Sequence, residues 1–197
     1  MTEIIIASTN DGKIREIKAA LAAKGIRWLT YKDFKNWPEV SETENTFEGN
    51  ARKKALALAS YFGKHALADD SGLEVDILGG RPGVTSARFA GQEANTGKNN
   101  RKLLKLMAGV PYEERTARFR CVIALASPDG LLETTEGVVA GHIVLKPSGD
   151  RGFGYDPLFI PDGRDKTLAE LPLEDKNSVS HRGRALGKIK SVVDRLT

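Results

Sequence analysis

Hydrophobic and polar positions along the chain follow two periods, one typical of buried strands and one typical of helices. Short apolar runs and alternating segments predict strands over 4–7, 26–30, 65–68, 118–126 and 132–144. Apolar residues at helical spacing predict helices over 14–21, 46–62, 93–108 and 181–195. Irregular or Gly- and Pro-rich segments separate them at 31–44, 79–83 and 146–165. Strands that alternate with helices, with a hairpin across the turn at 127–130, predict an α/β fold on a mixed sheet.

The composition fits a folded domain and limits its location and chemistry. The 197 residues are 40% hydrophobic and 28% charged, which is enough for a sizeable core. No apolar run approaches the about 18 residues of a membrane span, and Met1-Thr2-Glu3 does not begin like a signal peptide. We therefore expect a cytoplasmic protein with no membrane partner. The single cysteine, Cys121, excludes an internal disulfide framework and a multi-cysteine zinc site.

The charge permits an acidic ligand without selecting nucleic acid. The net charge is +4 and the pI is about 9.1, which suits a nucleotide, a phosphate or a nucleic acid. The 30 basic residues are dispersed among 26 acidic ones and form no long block. We therefore expect no nucleic-acid partner.

One lysine interrupts the apolar stripe of the helix predicted over 46–62. Lys54 falls between Ala51 and Leu58 on the stripe, where the period calls for an apolar side chain. Two interpretations are open. Either the ammonium extends to water while its stem packs, or this helix face opens on a cleft that holds a negative ligand.

Two carboxylates follow the strand predicted over 65–68. Neighbouring side chains on a strand point to opposite faces, so Asp69 and Asp70 are expected to do different jobs. Ligands of α/β sheets sit at the carboxyl ends of strands, where a carboxylate can hold a hard cation or accept a proton from water. A solvated Asp-Asp-Ser-Gly turn is the alternative.

Two predicted helices begin with groups that suit an anion. The segment 8–13, Ser-Thr-Asn-Asp-Gly-Lys, joins the first strand to the first helix and has the hydroxyls, amide and lysine of a phosphate cradle, although it is not a Walker A loop. The last helix begins with His181 and Arg182, and Ser180 can cap it. For both, an ordinary capped surface turn is the alternative.

The segment 152–157, Gly-Phe-Gly-Tyr-Asp-Pro, places glycines on both sides of an aromatic residue. Glycine lets a backbone approach a flat ligand closely, so Phe153 can stack on a base while Asp156 accepts a hydrogen bond from a base N–H. An aromatic-anchored structural loop is the alternative.

The segments described above, together with several shorter ones, follow one another in the order that is typical of one protein family, and they span nearly the whole chain. The most specific are Ala-Asp-Asp-Ser-Gly-Leu at 68–73, Gly-Phe-Gly-Tyr-Asp-Pro at 152–157 and Ser-His-Arg at 180–182. The other matching pieces are 8–13, Glu42-Thr43, Thr46-Phe47, Asn50-Ala51, Gly79-Gly80, Pro82-Gly83, Ser86-Ala87-Arg88 and Lys176. The set resembles the inosine/xanthosine triphosphate pyrophosphatase family. The stretch 147–151 departs from the Gly-Thr-Gly-Gly often seen there, which affects the expected loop shape.

The resemblance implies one domain over 1–197, with two α/β lobes around a long mixed sheet and a central substrate cleft. It also implies a homodimer and a requirement for Mg²⁺. The family cleaves non-standard purine nucleoside triphosphates such as dITP, ITP and XTP to the monophosphate and pyrophosphate. It prefers hypoxanthine and xanthine over adenine and guanine.

The resemblance also implies roles for matched positions. The phosphate chain would be gripped by the segment Ser8, Thr9, Asn10, Asp11, Gly12 and Lys13. Asp70 and Lys54 would be catalytic, Glu42 and Asp70 would hold Mg²⁺, and Ser71 would contact substrate beside Asp70. Phe153 would stack on the purine, within a binding loop that includes Gly154 and Tyr155. The purine edge would be read by Asp156, Lys176, His181 and Arg182.

Two other functions stay open on the sequence. One is a related hydrolase, either a pyrophosphatase for modified pyrimidines or a broad nucleotide phosphatase. The other is a non-catalytic nucleotide- or RNA-binding module, which would bind polynucleotides in a salt-sensitive way and would not need the Asp70 carboxylate.

Overall fold

The structure, a computed structural model, describes residues 1–22, 24–91 and 95–197. The strands in these ranges are β1 (Thr2–Ile6), β2 (Ile26–Leu29), β3 (His65–Val75), β4 (Thr116–Ser127), β5 (Gly130–Ile143) and β6 (Phe159–Pro161). The α-helices in the same ranges are α1 (Asp11–Ala20), α2 (Phe47–Phe62), α3 (Thr96–Leu106), α4 (Leu173–Val179) and α5 (His181–Asp194). None of the helices in the described ranges is both long and apolar enough to cross a membrane.

The strands form one mixed sheet in the order β2-β1-β3-β4-β5-β6. β1 pairs in parallel with β2 and β3, with Ile4 opposite both Trp28 and His65. β5 pairs antiparallel with β6. The α/β class and the mixed sheet predicted from the sequence are therefore confirmed.

The chain divides into two compact units. Unit 1 comprises Met1–Asp70, Cys121–Gly137 and Arg182–Thr197, and unit 2 comprises Ser71–Arg120 and Val138–His181. Each unit has an apolar core of its own. That of unit 1 is built from β1, α1, parts of β3 and β4, and α5, and includes Ile4, Ile17 and Ile189. That of unit 2 includes Leu73, Leu103 and Phe159.

Several element boundaries differ from the sequence prediction. β3 does not end at Asp69 and Asp70 but continues to Val75, because Leu73 and Val75 prolong its buried face. The segment predicted as a loop over 146–165 contains the short strand β6, and α4 was not predicted. The helix predicted over 93–108 is observed as α3, while residues 93 and 94 lie outside the described ranges.

The buried face of α5 also differs in part from the face that helical spacing predicts. The spacing predicts a buried face of Ala185, Ile189, Val192 and Leu196. Ala185 and Ile189 are buried, but Val193 is buried in place of Val192. Leu186 adds a further buried position, so the apolar face is wider than the predicted stripe.

Candidate functional site

The lysine that interrupts the stripe of α2 is held by carboxylates of unit 1. Thr46 caps the helix by accepting a hydrogen bond from the N–H of Gly49 at 3.0 Å, and the buried apolar stripe of α2 turns Lys54 inward. Lys54 Nζ lies 2.6 Å from Glu42 Oε1 and 3.2 Å from Asp70 Oδ1. It also donates to the backbone carbonyl of Asp69 at 2.8 Å. Since only 12% of its side chain is exposed, the interpretation that the ammonium extends to water is wrong.

Charge and burial shape this cluster of Glu42, Lys54 and Asp70. Burial lowers the pKa of Lys54, but the charges of Asp70 and Glu42 outweigh it and raise that pKa above its ordinary value. Burial raises the pKa of Asp70 above its ordinary value, and the charges of Lys54 and Lys13 offset only part of the effect. Asp70 Oδ2 is buried and has no hydrogen-bond partner among the residues that the structure describes. One carboxylate oxygen is thus left to accept from a ligand.

Asp69 belongs to a second set of contacts within unit 1, as the alternation of β3 predicts. Its carboxylate accepts from Arg182 Nε at 2.7 Å and forms an ion pair with Lys13 Nζ. The Cys121 thiol donates to Asp69 Oδ2 at 2.9 Å. Burial raises the pKa of Asp69, but the charges of Arg182 and Lys13 outweigh burial and hold it well below its ordinary value. Asp69 therefore stays ionised and fixes Lys13.

Arg182 lies in this buried set and is only 1% exposed. Its Nη1 donates to Glu16 Oε2 at 2.5 Å, so one guanidinium joins carboxylates of α1 and β3. The first turn of α5 is thus not an ordinary surface turn. No feature of the sequence pattern identified Glu16, whereas the alternation along β3 had assigned Asp69 a separate job.

The segment 8–13 forms a capped and partly open start of α1. Asn10 Oδ1 accepts from the N–H of Lys13 at 3.1 Å, and Ser8 Oγ accepts from the N–H of Asn10 at 3.1 Å. Thr9 is exposed, and Asp11 pairs with Lys32 at 2.9 Å. The side chain of Lys13 forms an ion pair with the buried carboxylate of Asp69. The start of α1 therefore has an exposed backbone next to an ammonium that is held in place, which suits an anion.

Unit 2 gathers the aromatic loop and a second buried ion pair. Lys176 Nζ lies 2.5 Å from Asp156 Oδ2, and the two side chains are 3% and 4% exposed. The same oxygen accepts from the N–H of Phe153 at 2.7 Å. Lys176 Nζ also lies 4.8 Å from the centroid of the Phe153 ring. A Cβ on Gly152 would meet Asp156 Oδ2 at 2.2 Å, so this approach requires glycine.

The other predicted binding residues of unit 2 are buried to different extents. His181 is buried and stacks on Phe119 with centroids 4.7 Å apart. Tyr155 is buried, and its hydroxyl donates to the carbonyl of Ser86 at 2.9 Å. Burial raises the pKa of Tyr155 far above its ordinary value. Ser71 and Gly154 are half-buried. Roles in binding for these four residues stay predictions.

The structure is thus an α/β protein in which buried or half-buried lysines lie next to carboxylates, at Lys54 in unit 1 and at Lys176 in unit 2. Such groups are typical of a protein that binds a charged ligand. The chain belongs to the Ham1 family, whose model matches residues 4–192. The family predicted from the motifs is thereby confirmed.

Relatives cover nearly all of the chain. A dITP/XTP pyrophosphatase of Geobacter sulfurreducens is 54% identical over 190 residues, which are 96% of this chain and 96% of the relative. A dITP/XTP pyrophosphatase of Desulforamulus reducens is 50% identical and covers 98% of this chain and 96% of its own. The solved structure of a HAM1 protein from Coxiella burnetii is 38% identical, with a TM-score of 0.87 over 99% of this chain and 100% of its own.

Proposed function

We propose that the protein hydrolyses non-standard purine nucleoside triphosphates, such as dITP, ITP and XTP, to the monophosphate and pyrophosphate. Relatives at 50% and 54% identity over almost their whole length are named dITP/XTP pyrophosphatases. The observation that carries the proposal is the cluster of Glu42, Lys54 and Asp70, which combines a cation for phosphate with an acceptor oxygen for water.

Lys13 and Lys54 are the cations that face the phosphate chain in this proposal. Both are fixed by carboxylates, Lys13 by Asp69 and Lys54 by Glu42 and Asp70. A cation that is already oriented loses little freedom when the leaving pyrophosphate gains charge, so it stabilises that charge effectively. The open start of α1 supplies backbone N–H groups for the same phosphates.

The carboxylates of the cluster fit Mg²⁺. Magnesium binds through one or two carboxylates and substrate phosphates, and Glu42 and Asp70 offer two carboxylates that already lie on one ammonium. One oxygen of each carboxylate would hold the ion, so Asp70 would keep its second oxygen, which has no partner within the described part of the chain, for water. When bound, the ion supplies Lewis-acid neutralisation of phosphate charge.

Asp70 is the residue that acts on water. Its Oδ1 accepts from Lys54, and its Oδ2 is left to orient a water molecule and accept its proton. Because burial raises the pKa of this carboxyl above its ordinary value, it is a stronger base than an exposed aspartate.

The groups of unit 2 serve the base. Phe153 offers a ring for stacking, Asp156 accepts from the N–H of Phe153, and the Lys176 ammonium lies 4.8 Å from the centroid of the ring. Hypoxanthine and xanthine carry a 6-oxo acceptor to which the Lys176 ammonium can donate. Adenine carries a 6-amino donor there, which cannot accept from the ammonium, and a site that donates to the 6-oxo group rejects such an analogue strongly.

A panel of substrates tests the proposal. The purified protein is incubated with ITP, XTP, dATP and dGTP, with and without Mg²⁺. We expect turnover of ITP and XTP at least about 100-fold above that of dATP, and only with Mg²⁺ present. Released orthophosphate in place of pyrophosphate would support a broad nucleotide phosphatase, and equal rates on all four nucleotides would contradict the base preference. Polynucleotide binding without turnover would support the non-catalytic alternative.

Lys54→Ala is expected to weaken binding of a non-hydrolysable ITP analogue by about 10- to 100-fold, since a hydrogen bond to a charged group is lost. Binding of inosine, which lacks phosphates, should change less than about twofold. Isothermal titration calorimetry measures both affinities. Lys53→Ala, on the exposed side of the same helix, is the matched control. Equal losses for the two ligands would remove Lys54 from the phosphate site.

Phe153→Ala is expected to raise the KM for ITP by about 5- to 100-fold, because stacking on an aromatic ring contributes about 1–3 kcal/mol per base. Steady-state kinetics measure it, with Phe153→Tyr as the variant that keeps a stacking ring. An unchanged KM in Phe153→Ala would mean that the ring does not hold the base.

A homodimer and a cytoplasmic location complete the proposal, and both derive from the sequence motifs and composition. Sedimentation of the purified protein tests the first, and fractionation of the source cells tests the second.

A further inference from the structure

The loop that carries Phe153 is held by α3 of the same unit. The side-chain amide of Asn100 donates from Nδ2 to the carbonyl of Gly154 at 3.1 Å. On the N-terminal side of the Phe153 side chain, the backbone N–H of Phe153 donates to Asp156 Oδ2 at 2.7 Å. Gly154 has φ +62, a left-handed conformation. The backbone is therefore fixed both before and after the Phe153 side chain, and this limits the directions that the ring can take.

Asn100 uses only one end of its side-chain amide within the described part of the chain. Its Oδ1 is buried and has no hydrogen-bond partner within the described ranges. The neighbouring Asn99 differs, since its Oδ1 accepts from Ala90 at 2.7 Å and its Nδ2 donates to the carbonyl of Ala87 at 2.9 Å. A buried acceptor without a partner destabilises the folded state. Stability alone therefore does not explain an asparagine at position 100.

We propose that Asn100 is a positioning residue for nucleotide binding, which acts by fixing Gly154 and thereby the ring of Phe153. The inference rests on the proposed function, because the ring must stack on a base for its direction to matter. Asn100 need not touch the substrate. Its expected effect is on binding of the base, because the backbone that it fixes carries the stacking ring.

Asn100→Ala tests the proposal through kinetics and stability together. We expect the KM for ITP to rise roughly 3- to 10-fold, the size of one neutral hydrogen bond, with kcat changed less than twofold. Inhibition by inorganic tripolyphosphate should be unchanged, because that probe has no base. The Tm should change little, since the substitution removes the unpaired Oδ1 but also takes the Nδ2 donor from the Gly154 carbonyl. Arg101→Ala, exposed on the same helix, is the matched control.

A double variant shows whether Asn100 acts through the ring. In a Phe153→Ala background, Asn100→Ala should raise the KM no further, because a residue that only orients the ring has no effect once the ring is absent. An equal further rise, an unchanged KM in the single variant, or a lowered Tm with a parallel loss of kcat would each overturn the proposal.

Hydrogen exchange separates this inference from the proposed function. Amides of 152–156 should exchange at least about threefold faster in Asn100→Ala than in the wild type, whether or not ITP is hydrolysed. If the wild type does not turn over ITP, the proposed function fails. If exchange is unchanged, Asn100 does not hold the loop and the inference fails.

Discussion

Asp70→Asn is expected to lower kcat for ITP hydrolysis by about 10²- to 10⁴-fold, the usual contribution of a positioned general base. The amide keeps the shape of the carboxyl and keeps an oxygen for Lys54, which donates to Oδ1 at 3.2 Å. It cannot take a proton from water, and it removes a negative charge that suits Mg²⁺. Rapid-quench measurement of ITP cleavage gives the change.

The same variant should fold at least as well as the wild type. Folding raises the pKa of Asp70, chiefly through burial, so the folded state binds its proton more tightly than the unfolded state does. The ionised carboxylate therefore lowers stability once the pH exceeds the folded pKa, and an amide removes that cost at neutral pH. We expect an equal or higher Tm. Asp129→Asn, in an exposed turn, is the control for activity. Near-wild-type kcat in Asp70→Asn would exclude Asp70 from the chemistry.

Arg182→Ala is expected to lower the free energy of unfolding by about 3–5 kcal/mol, the usual effect of breaking a buried ion pair. Glu16 and Asp69 would stay buried without the guanidinium that lies 2.5 Å and 2.7 Å from them. Arg182→Lys should recover only part of this loss, because one ammonium cannot reproduce the separate Nε and Nη1 contacts. Urea denaturation of the wild type, Arg182→Ala and Arg182→Lys measures the free energy of unfolding of each.

An exposed ion pair is the matched control for this loss. Arg52 lies 3.2 Å from Glu48 one turn away on α2, and both side chains are largely exposed. Arg52→Ala should cost about 0–1 kcal/mol. A similarly small loss in Arg182→Ala would show that Arg182 is not the structural centre of the buried set and would favour the role at the purine edge that the motifs predict.

Periodicity identified Lys54 because one charged residue broke a regular apolar stripe, and the structure places it between two carboxylates. The stripe could not predict those partners, since Glu42 lies in an irregular segment and Asp70 on another strand. The end of β3 was misplaced for a related reason. Asp69 and Asp70 look like a turn, yet their buried contacts with Arg182 and Lys54 let the strand continue to Val75.

The short elements of unit 2 were harder to predict. β6 has three residues, too few for a period to appear, and its pairing with β5 depends on a distant part of the chain. The motif around Phe153 identified the loop, but the contact from Asn100 was not predicted, because 54 positions separate Asn100 from Gly154.

The products formed from ITP in ¹⁸O-enriched water show which phosphoanhydride bond the protein cleaves. We expect inosine monophosphate and pyrophosphate in equal amounts, with one heavy oxygen in one of the two, as seen by mass spectrometry. Inosine diphosphate with labelled orthophosphate would mean that the protein is not a pyrophosphatase.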